Sequence, residues 1–312
     1  MMKYNENTIK VFAPATVANV ACGFDVLGFA LQAPGDTITI TKTDTQVIEI
    51  IDIIGALDLS KDPKNNVVGV AVQAMLNELG SKQGLSISIE KGVKPGSGIG
   101  SSAASSAAAV VAANVILDAG FSDLDLVRFA MEGERLASGT AHADNVAPSI
   151  MGGFTLVRSY NPLDVIRLNT PNDLFCAVIH PQIEVKTADS RGVLQEHISL
   201  KNAVIQWGNV GGLVAGLFMN DFALIGRSLQ DVVAEPLRSK LIPGFDAVKN
   251  AAMVAGALGS SISGSGPSVF ALCKGKEIAE KCAKAMSEVY ENIGIPFKVY
   301  ISGINQEGAK VI

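Results

Sequence analysis

The segment Lys94-Pro95-Gly96-Ser97-Gly98-Ile99-Gly100-Ser101-Ser102-Ala103-Ala104 constrains this chain more than any other. Three alternating glycines give way at once to an uncharged run of serine and alanine. Glycine lets a backbone turn tightly and approach a bulky anion with no Cβ in the way. Small residues then start a helix whose unpaired N–H groups and positive dipole end face that anion. Residues 92–118 therefore read as a phosphate-cradling loop followed by a buried helix. Better-known phosphate loops fit poorly. No lysine follows the glycines as a Walker A loop requires, and Ser101 stands where a dinucleotide fingerprint needs its third glycine. The Val-Ala-Ile-Lys and His-Arg-Asp of a protein kinase are absent. The bland alternative is a plain turn before a packing helix.

The 312 residues, 48% hydrophobic, suffice for a large core in one elaborate domain or two smaller ones. A net charge of −5 without a lysine or arginine cluster argues against nucleic acid as a partner. Cys22, Cys176, Cys273 and Cys282 are scattered and form no CxxC pair, so reduced thiols in a cytoplasmic protein are expected. Residues 11–31 are mostly apolar, and Val20-Ala21-Cys22 resembles a lipoprotein cleavage site. Pro14, Asn19 and Asp25 interrupt the run, so neither secretion nor a membrane partner is expected.

Patterning predicts an α+β chain. Strands are expected at 9–12 (ending at Pro14), 37–40, 47–50, 85–89, 154–157, 174–179, 268–272 and 297–301. Helices are expected at 66–79, 101–118, 123–137 (N-capped by Ser122), 187–195, 199–219, 221–229, 244–258 and 276–292. The helix at 101–118 is small all round, which predicts a central, buried position. The turn-prone Tyr160-Asn161-Pro162 divides the chain into lobes of residues 1–162 and 163–312.

Five places join polar groups to turn residues. They are Ala-Pro-Ala-Thr-x-Ala-Asn with Gly-Phe-Asp (13–25), the glycine loop (96–105), Glu134 with His-Ala-Asp-Asn-Val-Ala-Pro (142–148), Thr-Ala-Asp-Ser-Arg (187–191) with Arg238, and Ser-Gly-Ser-Gly-Pro (263–267). Each alone has an ordinary reading as a cap, a surface charge or a bonded loop residue. In this order and wording they resemble the homoserine kinase family, in the superfamily that also holds galactokinase, mevalonate kinase and phosphomevalonate kinase. The resemblance covers nearly the whole chain. The glycine-serine loop marks the superfamily, and the His-x-Asp-Asn-Val-Ala-Pro segment marks the homoserine branch.

The resemblance implies a two-lobed small-molecule kinase fold. Its N-terminal, nucleotide-binding lobe would be ribosomal-protein-S5-like and its C-terminal lobe ferredoxin-like. It implies ATP-dependent phosphorylation of the side-chain hydroxyl of L-homoserine to O-phospho-L-homoserine, a step of threonine biosynthesis. ATP would lie on Pro95, Gly96, Ser97, Gly98, Ile99, Gly100, Ser101 and Ser102, with its base against Asn65 and Asn66. Mg2+ would be held by Ser101 or Ser102 and by Glu134, a small oxygen set that suits this ion. Arg191 and Arg238 would clamp the substrate carboxylate, because a planar guanidinium bonds both oxygens. Asp25 would take the ammonium. Asn19, His142, Asn145 and Thr187 would complete the pocket. Asn145 stands where mevalonate kinase relatives carry a catalytic aspartate. Catalysis is therefore expected from Asn145, Glu134 and Ser102 by direct in-line transfer without a dedicated base, mainly through positioning and charge. Asp144 is the ionisable neighbour. A homodimer is implied too, and the apolar stretch 208–219 suits its interface or, preferably, the core. The alternatives are a mevalonate-type small-alcohol kinase and a nucleotide-binding sensor without catalysis. Two departures from the family wording, Ala21-Cys22 and Gln195, remove no charge that the chemistry needs.

Overall fold

The computed structural model describes residues 7–183, 185 and 187–312. The first half of the chain supplies β1 (Thr8–Ala18), β2 (Leu27–Thr43), β3 (Ile48–Ile54), α1 (Val67–Leu79), β4 (Gly84–Glu90), α2 (Ser101–Ile116), α3 (Asp123–Ser138), α4 (Val146–Met151), β5 (Phe154–Tyr160) and β6 (Leu163–Leu168). The second half supplies β7 (Leu174–Pro181), α5 (Thr187–Gly192), α6 (Leu200–Met219), α7 (Phe222–Ser228), α8 (Glu235–Arg238), α9 (Phe245–Val254), β8 (Gly259–Ile262), β9 (Val269–Lys274), α10 (Lys276–Ile293), β10 (Phe297–Gly303) and β11 (Lys310–Val311). Among the described residues no helix is long and apolar enough to cross a membrane.

The strands form two sheets. The first has seven strands, with β11-β1-β2-β4-β3 in order and the β5–β6 hairpin added to β2. The second has four, in the order β10-β7-β9-β8, all antiparallel. With helices after β7 and after β9, that order is the ferredoxin-like βαββαβ arrangement.

Three differences from the expected elements have physical reasons. β1 continues past Pro14, because a register irregularity between Pro14 and Thr16 absorbs the residue that cannot donate to the ladder. The irregularity also changes the face that β1 presents. Val11 and Ala13 join the core under the helices, whereas Ala15 and Val17 join the core between the sheets. β2 and β3 follow each other in sequence but do not pair. β4 lies between them, antiparallel to β2 and parallel to β3. The turn at Asn161-Pro162 is the tip of the β5–β6 hairpin and lies inside the first sheet, not between the two sheets.

The layers run helices, sheet, sheet, helices. α1, α2 and α3 cover one face of the first sheet, where Ile38, Ile40, Ile87 and Ile89 are buried. The sheets share a core in which Phe29 stacks on Phe154 at 4.7 Å and meets Phe270 edge-on at 6.2 Å. α9 and α10 cover the outer face of the second sheet. α2 is central, as its composition predicts: twelve of its sixteen residues are buried, most of them alanine or serine. Side chains this small let sheet, α1 and α3 close around one rod. α6 is only partly core. It buries Leu213 and Leu217 but leaves Trp207 and Phe218 exposed.

Candidate active site

The glycine loop leads from β4 to α2 in turns that two of its glycines make possible. Gly98 (φ +79°) passes so near the Ser263–Gly266 turn that a Cβ would lie 2.5 Å from the Gly266 carbonyl oxygen. Gly100 (φ +67°) is the N-cap of α2, and a Cβ there would lie 2.1 Å from Thr16 Oγ1. No side chain caps this helix. Its first N–H groups therefore keep their hydrogen-bonding capacity and the positive dipole end for a bound anion.

That helix start opens into a cleft of about 760 Å³, within the size usual for small-molecule sites. Pro95, Gly96, Ser97, Gly98, Gly100, Ser101 and Ser102 line it. Ile99 does not. Its side chain is fully buried in the core between the sheets, and its carbonyl accepts from Thr16 N–H at 3.1 Å. Asn65 and Asn66 line the same cleft. Asn66 also caps α1 by accepting from Val68 N–H at 3.0 Å, and Asn65 donates to Asp62 at 2.7 Å.

Glu134 projects from α3 toward the start of α2. Its Oε1 is buried without a hydrogen-bond partner, and Ser102 bonds the carboxylate. Burial pushes the Glu134 carboxyl up to about 7, against the opposing pull of Ser102 and Lys91. A buried acidic oxygen with an open valence beside a hydroxyl and a phosphate cradle fits a hard divalent ion whose other ligands are phosphate and water. Ser101 does not share this geometry, because its hydroxyl donates to the Val93 carbonyl at 2.9 Å. Among the described residues no group of three or more His, Cys, Asp or Glu could hold a metal.

The other end of the cleft is charged. Arg191 on α5 donates to both Asp25 oxygens at 3.1 Å and lies 2.5 Å from His142 Nε2. Arg238 on α8 is 3% exposed and donates to the carbonyls of Ser190 and Gly264, each at 3.0 Å. Its guanidinium lies over Phe24 at 5.0 Å and that of Arg191 at 5.9 Å. Burial pulls His142 below the usual imidazole range, against the Asp25 carboxylate. Asp25 and the two arginines thus form a pocket with both signs of charge.

The loop carrying Asp25 is strained. Asn19, Val20, Ala21 and Asp25 all have positive φ, a sparsely populated region for non-glycine residues. The surroundings hold it. Asn19 donates to the Gly264 carbonyl at 2.7 Å and accepts from Asp25 N–H at 3.0 Å. Tyr160 donates to the Asp25 carbonyl at 2.8 Å, and Gln206 of α6 donates to the Cys22 carbonyl at 2.8 Å. Burial raises the Cys22 thiol to about 12, so it is no nucleophile. Asn145 accepts from Thr16 Oγ1 at 2.8 Å. Asp144 beside it is 4% exposed, and burial together with the like charges of Asp25 and Glu134 raises it to about 8. Thr187 opens α5, but its side chain lies outside the described residues.

The cleft thus gathers the expected Asn19, Asp25, Glu134, His142, Asn145, Arg191 and Arg238. Of the supporting residues, Thr16 belongs to the 13–25 motif and Tyr160 to the expected turn, whereas Gln206 and the buried pair Asp36–Lys91 fall in no motif. Gln206 is the buried polar residue of α6, and in the sequence it looks like its neighbours Asn202 and Asn209.

Residues 65–153 match the family model for the GHMP kinases N terminal domain, and residues 213–292 that for the GHMP kinases C terminal. Homoserine kinase of Chloroherpeton thalassium is 49% identical, with 96% of this chain and 98% of that one covered. Homoserine kinase of Pyrococcus furiosus is 42% identical over 97% and 99% of the two chains. The crystal structure of homoserine kinase from Cytophaga hutchinsonii superposes with a TM-score of 0.96 at 54% identity, covering 100% of this chain and 99% of that one. Mevalonate kinase of L. major, at 17% identity and a TM-score of 0.73 over 97% and 99% of the chains, shares the fold. The chain belongs to the homoserine kinase family of the GHMP kinases.

Proposed function

We propose that this chain transfers the terminal phosphoryl group of ATP to the side-chain hydroxyl of L-homoserine, giving O-phospho-L-homoserine for threonine biosynthesis. One observation carries the reading: the uncapped start of α2 and a pocket of two arginines and one carboxylate open into the same cleft. The first suits a triphosphate and the second a small zwitterion. Main-chain N–H groups of residues 98–102 take the phosphate charge. Ser102 and Glu134 would hold Mg2+, which would supply charge neutralisation at the phosphates. Arg191 and Arg238 take the carboxylate and Asp25 the ammonium, so substrate binding loosens the Arg191–Asp25 pair.

The transfer is direct and has no dedicated base. Asn145 cannot take a proton, and burial together with the like charges of Asp25 and Glu134 raises the neighbouring Asp144 carboxyl to about 8, above the usual carboxylate range. A loose phosphoryl-transfer transition state leaves little proton work to do, and orienting the two reactants can supply roughly 7–11 kcal/mol. The same reading has the enzyme in the cytoplasm as a homodimer, with no nucleic-acid or membrane partner. The exposed Trp207 and Phe218 on α6 support a self-association surface.

A coupled ADP-release assay with L-homoserine, with mevalonate and with no acceptor tests the function. Release that depends on L-homoserine is expected. Equal release in all three arms contradicts the reading. Arg191→Ala should raise KM for L-homoserine by about 10–100-fold, the scale of a lost charge-assisted hydrogen bond, and leave KM for ATP within about twofold.

A further inference from the structure

Beneath the glycine loop lies a buried ion pair that the chemistry above does not use. Asp36 of β2 and Lys91, the residue after β4, have side chains that are 0% and 2% exposed. The Lys91 ammonium donates to Asp36, to the Ser101 carbonyl at 2.9 Å and to Ser105 Oγ at 2.9 Å. Asp36 Oδ1 accepts the N–H groups of Gly92 and Val93 at 3.0 Å each, and its Oδ2 accepts Ser105 Oγ at 2.7 Å. One carboxylate therefore ties the start of the loop to the first turns of α2, and the lysine closes the triangle. Lys91 lines the cleft, whereas Asp36 does not.

We infer that Lys91, held by Asp36, is a positioning residue for the phosphate cradle: the pair fixes the loop against α2 and keeps a buried cation beside the cleft in which the phosphates would lie. A pair this deeply buried is a poor source of stability, because desolvation offsets most of the attraction. Its effect lies in geometry and field. All three ammonium donors already have protein acceptors, so Lys91 acts through the Ser101 turn and through its charge. With the lysine side chain 2% exposed, that charge is weakly screened by solvent. The Glu134 carboxylate is close enough to act on this charge, so the lysine also offsets a like-charge conflict between that carboxylate and the phosphates.

This inference rests on the nucleotide reading of the cleft, and the test separates the two. Binding of ADP and of adenosine, each with Mg2+, is measured by calorimetry on the full chain, alongside KM for L-homoserine. Lys91→Met should weaken ADP by about 10-fold or more while adenosine and L-homoserine stay within about twofold, because only the phosphates meet the cradle. Ser105→Ala removes one acceptor of Lys91 and one donor to Asp36 with little risk to the helix. It should weaken ADP in the same selective way, by about threefold. A structural role alone would lower thermal stability without separating ADP from adenosine. ADP affinity unchanged in both variants, or ADP and adenosine weakened together, overturns the inference. If Lys91→Met does not fold, Ser105→Ala decides. Wild-type protein that binds no ADP overturns the nucleotide reading itself.

Discussion

α2 and α3 are packed neighbours of sixteen residues each, and they begin in opposite ways. α3 starts with a closed capping box, in which Ser122 accepts from Asp125 N–H at 3.3 Å and Asp125 accepts from Ser122 N–H at 3.2 Å. α2 starts at Gly100, a left-handed residue with no side chain to give. The two starts therefore do different work. A capping box satisfies two of the donors at the helix start and makes its terminus a structural end. A bare glycine leaves those donors for whatever enters the cleft, and the terminus becomes a binding surface. The helices also divide the charges between them. α2 offers N–H groups and no carboxylate, and α3 brings Glu134 across to the start of α2.

The largest test of this division is Glu134→Gln. It keeps the shape of the side chain and removes the anion that faces the phosphates. Turnover at pH 8 should fall by about 1,000-fold, the scale seen when a key electrostatic group is lost. Steady-state kinetics measure it, and a fall below about tenfold would mean that α3 contributes packing only. Next comes Gly100→Ala. Its Cβ would meet Thr16 Oγ1 and Asn145 Oδ1 at 2.1 and 2.9 Å, in a conformation that disfavours any side chain. Affinity for ADP should fall by about 100-fold in calorimetry, with a few kcal/mol of lost stability.

Smaller effects follow from Glu134 in the ligand-free protein. Its folded carboxyl titrates near 7, above the ordinary 4.5, so it opposes folding once the unfolded chain can ionise. Stability from this group is therefore lost as pH rises from about 4.5 to 7 and stays low above that. With chelator present, Glu134→Gln should melt several degrees higher than wild type at pH 8 and at about the same temperature at pH 4. Scanning calorimetry at the two pH values checks the sign. Smallest of all, Ser122→Ala should cost about 1 kcal/mol of stability and leave kcat and both KM values unchanged. A change in nucleotide KM would mean that the two helix starts are not independent.

How far the sequence shows this site depends on whether the parts are contiguous. The phosphate cradle is written in one run, 94–105, where glycine and small residues each have a local reason to be. α2 and the Ser122 cap of α3 were legible for the same reason. The amino-acid pocket draws on residues 19–25, 142–145, 191 and 238, which the fold alone brings together; only the resemblance connected them. The Asp36–Lys91 pair was invisible, because its members lie 55 residues apart and neither breaks a local pattern. Tyr160 and Asp25 lie 135 apart, joined only by the way β5 adds to β2. Short elements such as α4 and β11 escaped because a few residues carry no periodicity to read.

The comparison of the two helix starts turns on where the nucleotide phosphates sit. A crystal structure of the protein with a non-hydrolysable ATP analogue, Mg2+ and L-homoserine tests this most directly. The terminal phosphate is expected within hydrogen-bond distance of the N–H groups of residues 98–102, with the amino acid's carboxylate between Arg191 and Arg238. A triphosphate bound anywhere other than the open start of α2 would contradict the account.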